Sequence, residues 1–429
     1  MEVYDQTRAA VIYPRYMKLF HLLHRRFWNV CFYGFTVFFG LSCTGNKVGG
    51  SKVSLAEEAK VASYLEVENV LKEQVMEDAA WAMQQQPVTV TAAISERSAG
   101  GKHDFYSEGD YWWPDPENPE GPYIRRDGMT NPENFVAHRV SLINFSRIIG
   151  ALAAAYTITG EEGYVSHAFR HLEAWFVNPA SKMNPSLNYA QAIKGRVTGR
   201  GIGIIDTIHL MEVAQGLVVM QDAPPANPEL VTAIKAWFTQ YLEWLTTHPY
   251  GKEEMNTANN HATCYFMQVA SFARLTGDED MLDFCREHFR MVLLPNQMAE
   301  DGSFPKEIER TKPYGYSLFN LDAMVTLVHI LSDSSNDLWN YSTAEGKSIQ
   351  KGIDFLYPYV KEKSKWPYEQ DVMYWDNWPV AHPFLVFGAV AFEQNDWLST
   401  WVNLDHDPEV EEVLRNLPIR NPIIWLHKE

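Results

Sequence analysis

The sequence predicts an all-α fold, and three features carry the prediction. Apolar residues recur every three and four positions over most of the chain after residue 52, strand-like alternation is scarce, and one helical-hairpin signature occurs twice. In chain order, the periodic stretches are 142–156, 164–176, 204–219, 230–245, 265–275, 281–294 and 318–331. Thr159-Gly160-Glu161, Pro224-Pro225 and Thr276-Gly277-Asp278 punctuate them as stop and turn signals. The best strand candidate is short, at 88–93. AYTITGEEGY from Ala155 and ARLTGDEDM from Ala273 share a plan: a helix, a Thr-Gly stop and an acidic helix start. A series of such antiparallel hairpins either opens as a solenoid or closes as an α/α toroid, and periodicity alone does not separate the two.

Composition narrows the class. Of 429 residues, 46% are hydrophobic and 21% charged, which is globular. The formal charge is −18, from 36 Lys and Arg against 54 Asp and Glu, so no nucleic-acid partner is expected, because phosphate binding requires a basic face. Four cysteines without CxxC or Cys/His spacing argue against a disulfide framework and a zinc site.

The amino terminus reads as a targeting segment. Lys18, Arg25 and Arg26 precede the apolar run 30–41, too short for a spanning helix, and Ser42-Cys43-Thr44-Gly45 follows. Residues 1–42 are therefore expected to be an export signal of lipoprotein type, with Cys43 as lipid anchor and 43–52 as tether. The chain is expected in the periplasm or at the outer membrane. Losing 1–42 removes five basic and two acidic residues, leaving the mature chain more acidic. Of its cysteines, Cys264 and Cys285 then remain as thiols, read as buried apolar residues. No composition break divides 53–429, which reads as one domain.

Four constellations have possible chemistry. Asn256-Thr-Ala-Asn259-Asn260-His261 leads into a helix. With Asn256 or Thr257 as cap, Asn260 and His261 fall in the first turn, where free amides favour an anion and a neutral imidazole; the alternative is a capping Asn and a packed His. The stretch 300–320 carries Lys306, Arg310, Lys312, Tyr314 and Tyr316. Arginine clamps carboxylates, and nearby cations lower a phenol's pKa; a plain surface loop is the alternative. Asp110-Tyr111-Trp112-Trp113 with Arg125 and Arg126 suits stacking on sugar rings and binding uronates, or an aromatic latch. Asn188, Gln191 and Arg200 sit in a glycine-rich stretch that does not match a dinucleotide loop, and tight helix packing explains its glycines equally well.

Taken together, YWWPDP, MNPSLNYAQAIKG, GRGIGIIDT, NNHATCY and DGSFPKEIERTKPYGYS, in that order over residues 100–395, resemble the alginate lyase family of polysaccharide lyases. The resemblance implies an incomplete α/α toroid of six to seven helical pairs. It implies catalytic roles for Asn260, His261, Arg310 and one tyrosine, Tyr316 in preference to Tyr314, with no cofactor or metal. The expected substrate is an anionic polysaccharide, alginate or a related polyuronate such as glucuronan, cleaved by β-elimination. Tyr111, Trp112, Trp113, Arg125, Arg126, Asn188, Gln191, Arg200, Lys312 and Tyr314 are expected to bind it. Because the chain is acidic overall, its cleft must be locally basic, with Lys194, Arg196 and Lys306 joining those arginines and Lys312. Two rival readings differ in chemistry: a hydrolase pairing carboxylates among Asp110, Asp206, Glu307 and Glu309, or a non-catalytic glycan-binding lipoprotein.

Overall fold

The computed structural model describes residues 55–426, with side chains from residue 63. The expected export signal, Cys43 and the tether lie outside the described residues. Helices α1 (Leu55–Ala82), α2 (Ala137–Thr159), α3 (Glu162–Phe176), α4 (Leu210–Met220), α5 (Pro228–Thr247), α6 (Pro249–Met255), α7 (Asn260–Thr276) and α8 (Glu279–His288) make the first half. They are followed by α9 (Leu294–Gln297), α10 (Pro305–Ile308), α11 (Pro313–Leu331), α12 (Ile349–Lys361), α13 (Pro383–Phe392), α14 (Asn395–Val402), α15 (Glu411–Arg415) and α16 (Pro422–Leu426).

Burial divides these helices into two layers. Helices α2, α4, α7, α11 and α13 are apolar on nearly every side and pack successively on one another as an inner series. Helices α3, α5, α8 and α12 bury one stripe and face water with the other, as an outer layer does. Helix α1 lies against both α2 and α13, and α16 touches α1, α2, α4 and α13. Contacts between the first and last elements are impossible in an open solenoid, so the series closes into an α/α toroid. Among the described residues, one apolar core runs through it. Cys264 and Cys285 are buried free thiols within that core, and burial pushes both up in pKa.

The hairpin signature marks real turns: α2 and α7 end on Gly160 (φ 71°) and Gly277 (φ 75°), left-handed positions that suit glycine. Elsewhere the structure departs from the periodic reading. Stretch 204–219 is a 3₁₀ turn, Gly201–Thr207, followed by α4. Helix α11 starts at Pro313, ahead of its apolar stretch, because proline suits a first helical position and the Asp371 carboxylate accepts the Tyr314 and Gly315 amides at 2.9 Å each. The expected strand at 88–93 is instead a 3₁₀ turn, Val90–Ala92, whose Thr91 amide is bonded by the Thr89 side chain. Strands occur where none was read: β1 (Tyr106–Glu108) pairs parallel with β4 (Tyr189–Ala192), and β2 (Trp112–Trp113) antiparallel with β3 (Ile124–Arg125). These short ribbons, the 3₁₀ turn and the starts of α7 and α11 come together at one cleft.

Candidate active site

The cleft has a cavity volume of about 120 Å3. It gathers Asn260, His261, Arg310, Tyr316, Tyr111, Trp112, Arg125, Gln191 and Arg200, nine residues singled out from the sequence. Each is held by a specific local device.

Asn260 and His261 open α7, but the cap is Asn259, whose side chain accepts the His261 amide, rather than Asn256 or Thr257. Buried Glu307 fixes Asn260 twice, taking its backbone N–H at 2.6 Å and its Nδ2–H at 2.7 Å. His261 Nδ1 donates to Oε1 of buried Glu254 at 2.6 Å. A carboxylate only accepts, so Nδ1 carries a proton, and in the neutral imidazole this tautomer leaves the lone pair on Nε2.

Arg310 donates to Asp127 through Nη2 at 3.1 Å and Nε at 3.3 Å, and its guanidinium carbon lies 4.6 Å from the centre of the Tyr316 ring. Asp127 also accepts from Arg125 at 2.6 Å and from the Thr311 hydroxyl at 3.1 Å, tying two distant loops together. Burial works against the charge on Asp127, but its arginine partners outweigh burial and hold it below the usual carboxylate range.

The Tyr316 hydroxyl lies 2.8 Å from that of Tyr111. Burial, helped by Tyr111, pushes its phenol well above the ordinary value although Arg310 opposes the shift. The sequence reading expected neighbouring cations to lower it; desolvation wins, and the phenol keeps its proton.

Gln191 has a left-handed backbone (φ 48°), a strained conformation for this residue type. It is held by Arg200, which donates to its carbonyl at 3.0 Å and its Oε1 at 2.9 Å, and by Asp206, which accepts its Nε2–H at 3.1 Å. A side chain on Gly199 would meet the Asn188 carbonyl at 2.0 Å, so tight packing does explain that glycine.

Five of the predicted catalytic and ligand-binding residues are not at the cleft, and neither are Lys194, Arg196 and Lys306, which were expected to make it basic. Tyr314 is fully buried, donates to the Tyr359 carbonyl and packs on Trp366 and Trp375. Two residues apart on a helix point to nearly opposite sides, so Tyr314 and Tyr316 cannot share one cleft. The same logic on a strand separates Trp113 from Trp112: Trp113 bonds the Met129 carbonyl, with Arg126 over its ring. Asn188 accepts from Trp244. Lys312 is buried beneath the Tyr111 and Tyr316 rings and ion-paired with Glu412, out of reach of a ligand.

The carboxylates that a hydrolase needs are already engaged. Asp110 is bidentate with Arg139 and bonded to Arg415; burial alone raises its pKa, but these arginines bring it to about 2. Asp206 bonds Ser107 and Gln191, Glu307 holds Asn260, and exposed Glu309 pairs with Lys306. Sequence reasoning missed Asp127, Glu254 and Arg415 as site residues. Asp127 directly follows Arg126, and Glu254 lies seven residues before His261, the signals available; Arg415 carries none. With Arg125, Arg200, Arg310 and Arg415 on its walls, the cleft is locally basic in an acidic protein.

Comparisons with known proteins agree with this picture. The alginate lyase family model matches residues 89–366. The chain is similar to an alginate lyase from Bacteroides ovatus, at 31% identity over 86% of this chain and 96% of that one, with a TM-score of 0.73. It is also similar to alginate lyase A1-III from Sphingomonas species A1, at 14% identity over 76% and 89%, TM-score 0.51. A variant of alginate lyase A1-III complexed with tetrasaccharide matches at 16% over 80% and 90%, TM-score 0.53. These last two likenesses concern the fold alone. No curated protein matches the chain.

Proposed function

The chain belongs to the alginate lyase family and is a polysaccharide lyase, and from that premise we propose that its cleft cleaves alginate, acting on mannuronate- and also guluronate-containing chains by β-elimination. One observation carries the reading: an amide, an imidazole, a guanidinium and a phenol, from separate elements, converge on one basic cleft.

The proton at carbon five of a uronate is weakly acidic, and the neighbouring carboxylate resists further negative charge. Arg310 and Asn260 neutralise that carboxylate, and Asp127 and Glu307 keep the two donors aimed as charge develops. His261 Nε2 takes the carbon-five proton, the bond from carbon four to the glycosidic oxygen breaks, and a double bond forms between carbons four and five. Tyr316 gives its proton to the departing oxygen. Imidazolium and phenolate then exchange the proton back after product leaves, so no external reactant is consumed. The protonated state of Tyr316 favours this division of labour, which suits guluronate. On mannuronate, with proton and leaving group on one face, Tyr316 serves both steps once solvent has taken its phenolic proton, with Arg310 and Lys312 steadying the phenolate.

Incubation with mannuronan, guluronan, mixed alginate and glucuronan, read by ultraviolet absorbance of the unsaturated product, tests the reading. Product from alginate that disappears in Tyr316→Phe supports it; product from glucuronan alone transfers the activity to that polymer. We also propose that residues 1–42 direct export and that Cys43 is lipidated, anchoring the enzyme at the outer membrane; mass spectrometry of the mature amino terminus checks both.

A further inference from the structure

Two guanidiniums lie over the Trp112 ring, Arg196 at 5.2 Å and Arg200 at 5.9 Å from its centre. Trp112 and Arg200 line the cleft, whereas Arg196 lines a second, open groove with Lys194, Val197 and Tyr250. One segment connects the two. It starts in the cleft at Gln191, turns in a tight hairpin at Lys194-Gly195-Arg196, and re-enters the cleft at Arg200.

The hairpin is rigid. Ile193 and Val197 exchange backbone hydrogen bonds at 2.9 and 3.1 Å. Gly195 has φ 73°, and a side chain there would meet Pro122 at 2.8 Å. Arg196 Nε donates to the Tyr123 carbonyl at 2.7 Å, and Lys194 lies 5.6 Å from the centre of the Tyr123 ring. The other charged groups of the groove are accounted for: Arg97 is bidentate with Glu108, and Lys194 is 3.6 Å from Glu120, itself almost fully exposed and so a weak, screened partner. Two preorganised cations beside an exposed valine and a tyrosine suit an anionic sugar chain, on a protein whose net charge otherwise repels polyanions.

We propose that the Lys194–Arg196 hairpin is a distal binding site for uronate residues of the chain being cleaved, so that the polymer runs from the cleft past Trp112 into the second groove. This rests on the polyuronate lyase reading. A site outside the cleft favours long chains and internal bonds, because each occupied site adds to the hold on one molecule.

Binding of mannuronate trimer and octamer to the Tyr316→Phe protein, measured by calorimetry, decides it, with Lys194→Glu as the main variant because Lys194 does not touch Trp112. Octamer should bind more tightly than trimer, and Lys194→Glu should weaken octamer binding by roughly threefold to tenfold while trimer binding stays within about twofold. Arg196→Ala should do the same to the octamer and show in addition whether its stacking on Trp112 reaches the trimer. Equal weakening of both ligands by Lys194→Glu, an unchanged octamer-to-trimer ratio, or no chain-length preference in the parent overturns the proposal. If the unmutated enzyme yields no unsaturated product from any polyuronate, the elimination chemistry is wrong, and the octamer-to-trimer comparison still decides the distal site.

Discussion

The hydroxyls of Tyr111 and Tyr316 are 2.8 Å apart, and the Lys312 ammonium lies beneath both rings, 5.1 and 5.2 Å from their centres. Tyr111 and Lys312, read from the sequence as ligand-binding residues, are thereby neighbours of the Tyr316 phenol. Burial disfavours the charge on Lys312, but Glu412 and Tyr111 outweigh it and hold its pKa up.

Tyr316→Phe should lower kcat by roughly 10²–10⁴-fold, the usual worth of a positioned proton donor. Tyr111→Phe keeps the ring over Lys312 but removes the hydroxyl partner, so kcat should fall about tenfold with KM nearly unchanged. The double variant should be no slower than Tyr316→Phe alone, because Tyr111 acts through Tyr316. Additive losses in steady-state kinetics would assign Tyr111 an independent role.

Asp127→Ala frees Arg310 and Arg125 together. Misplacing a carboxylate-binding guanidinium by about 1 Å costs on the order of 10²-fold. The expected result is a fall of that size in kcat/KM with folding retained, read by kinetics beside circular dichroism. Arg125→Ala alone should cost less, since Asp127 keeps its grip on Arg310.

Glu254→Gln replaces the acceptor of the His261 Nδ1 proton with an amide that can also donate. The imidazole loses its enforced tautomer, and kcat should drop roughly 10–100-fold. The effect should be larger on guluronan than on mannuronan, because the proposed mechanism makes His261 the base only on the first. Equal losses on both polymers would show that one base serves both.

Asp371 accepts two amides at the start of α11, just ahead of Tyr316, and burial raises its pKa to about 6 even though those bonds oppose the shift. In the unfolded chain the group titrates near 3.9. The folded state therefore binds more protons between about pH 4 and 6, and the contribution of Asp371 to stability declines as pH rises through that window. Asp371→Asn removes this slope. The stability of the parent relative to the variant should be on the order of 2 kcal/mol greater at pH 4.5 than at pH 7, measured by urea unfolding. A constant difference across that range would mean that the carboxyl titrates normally.

What the sequence determined by itself was local. Helical periodicity, the Thr-Gly stops and the ordered motifs identified an all-α chain, its hairpins and its kind of chemistry, because side-chain spacing and capping are set by residues within one turn of each other. Closure into a toroid was decided by contacts between α1, α13 and α16, elements separated by most of the chain. The site shows the same division. Asn260 and His261 were legible because their first-turn position follows from neighbouring residues, while their holders Glu307 and Glu254 were not, since nothing in the spacing says which carboxylate folds against which donor. Helix and strand direction chose Tyr316 over Tyr314 and Trp112 over Trp113. Desolvation, which exists only once the core has closed, turned a phenol expected to be acidic into one that keeps its proton.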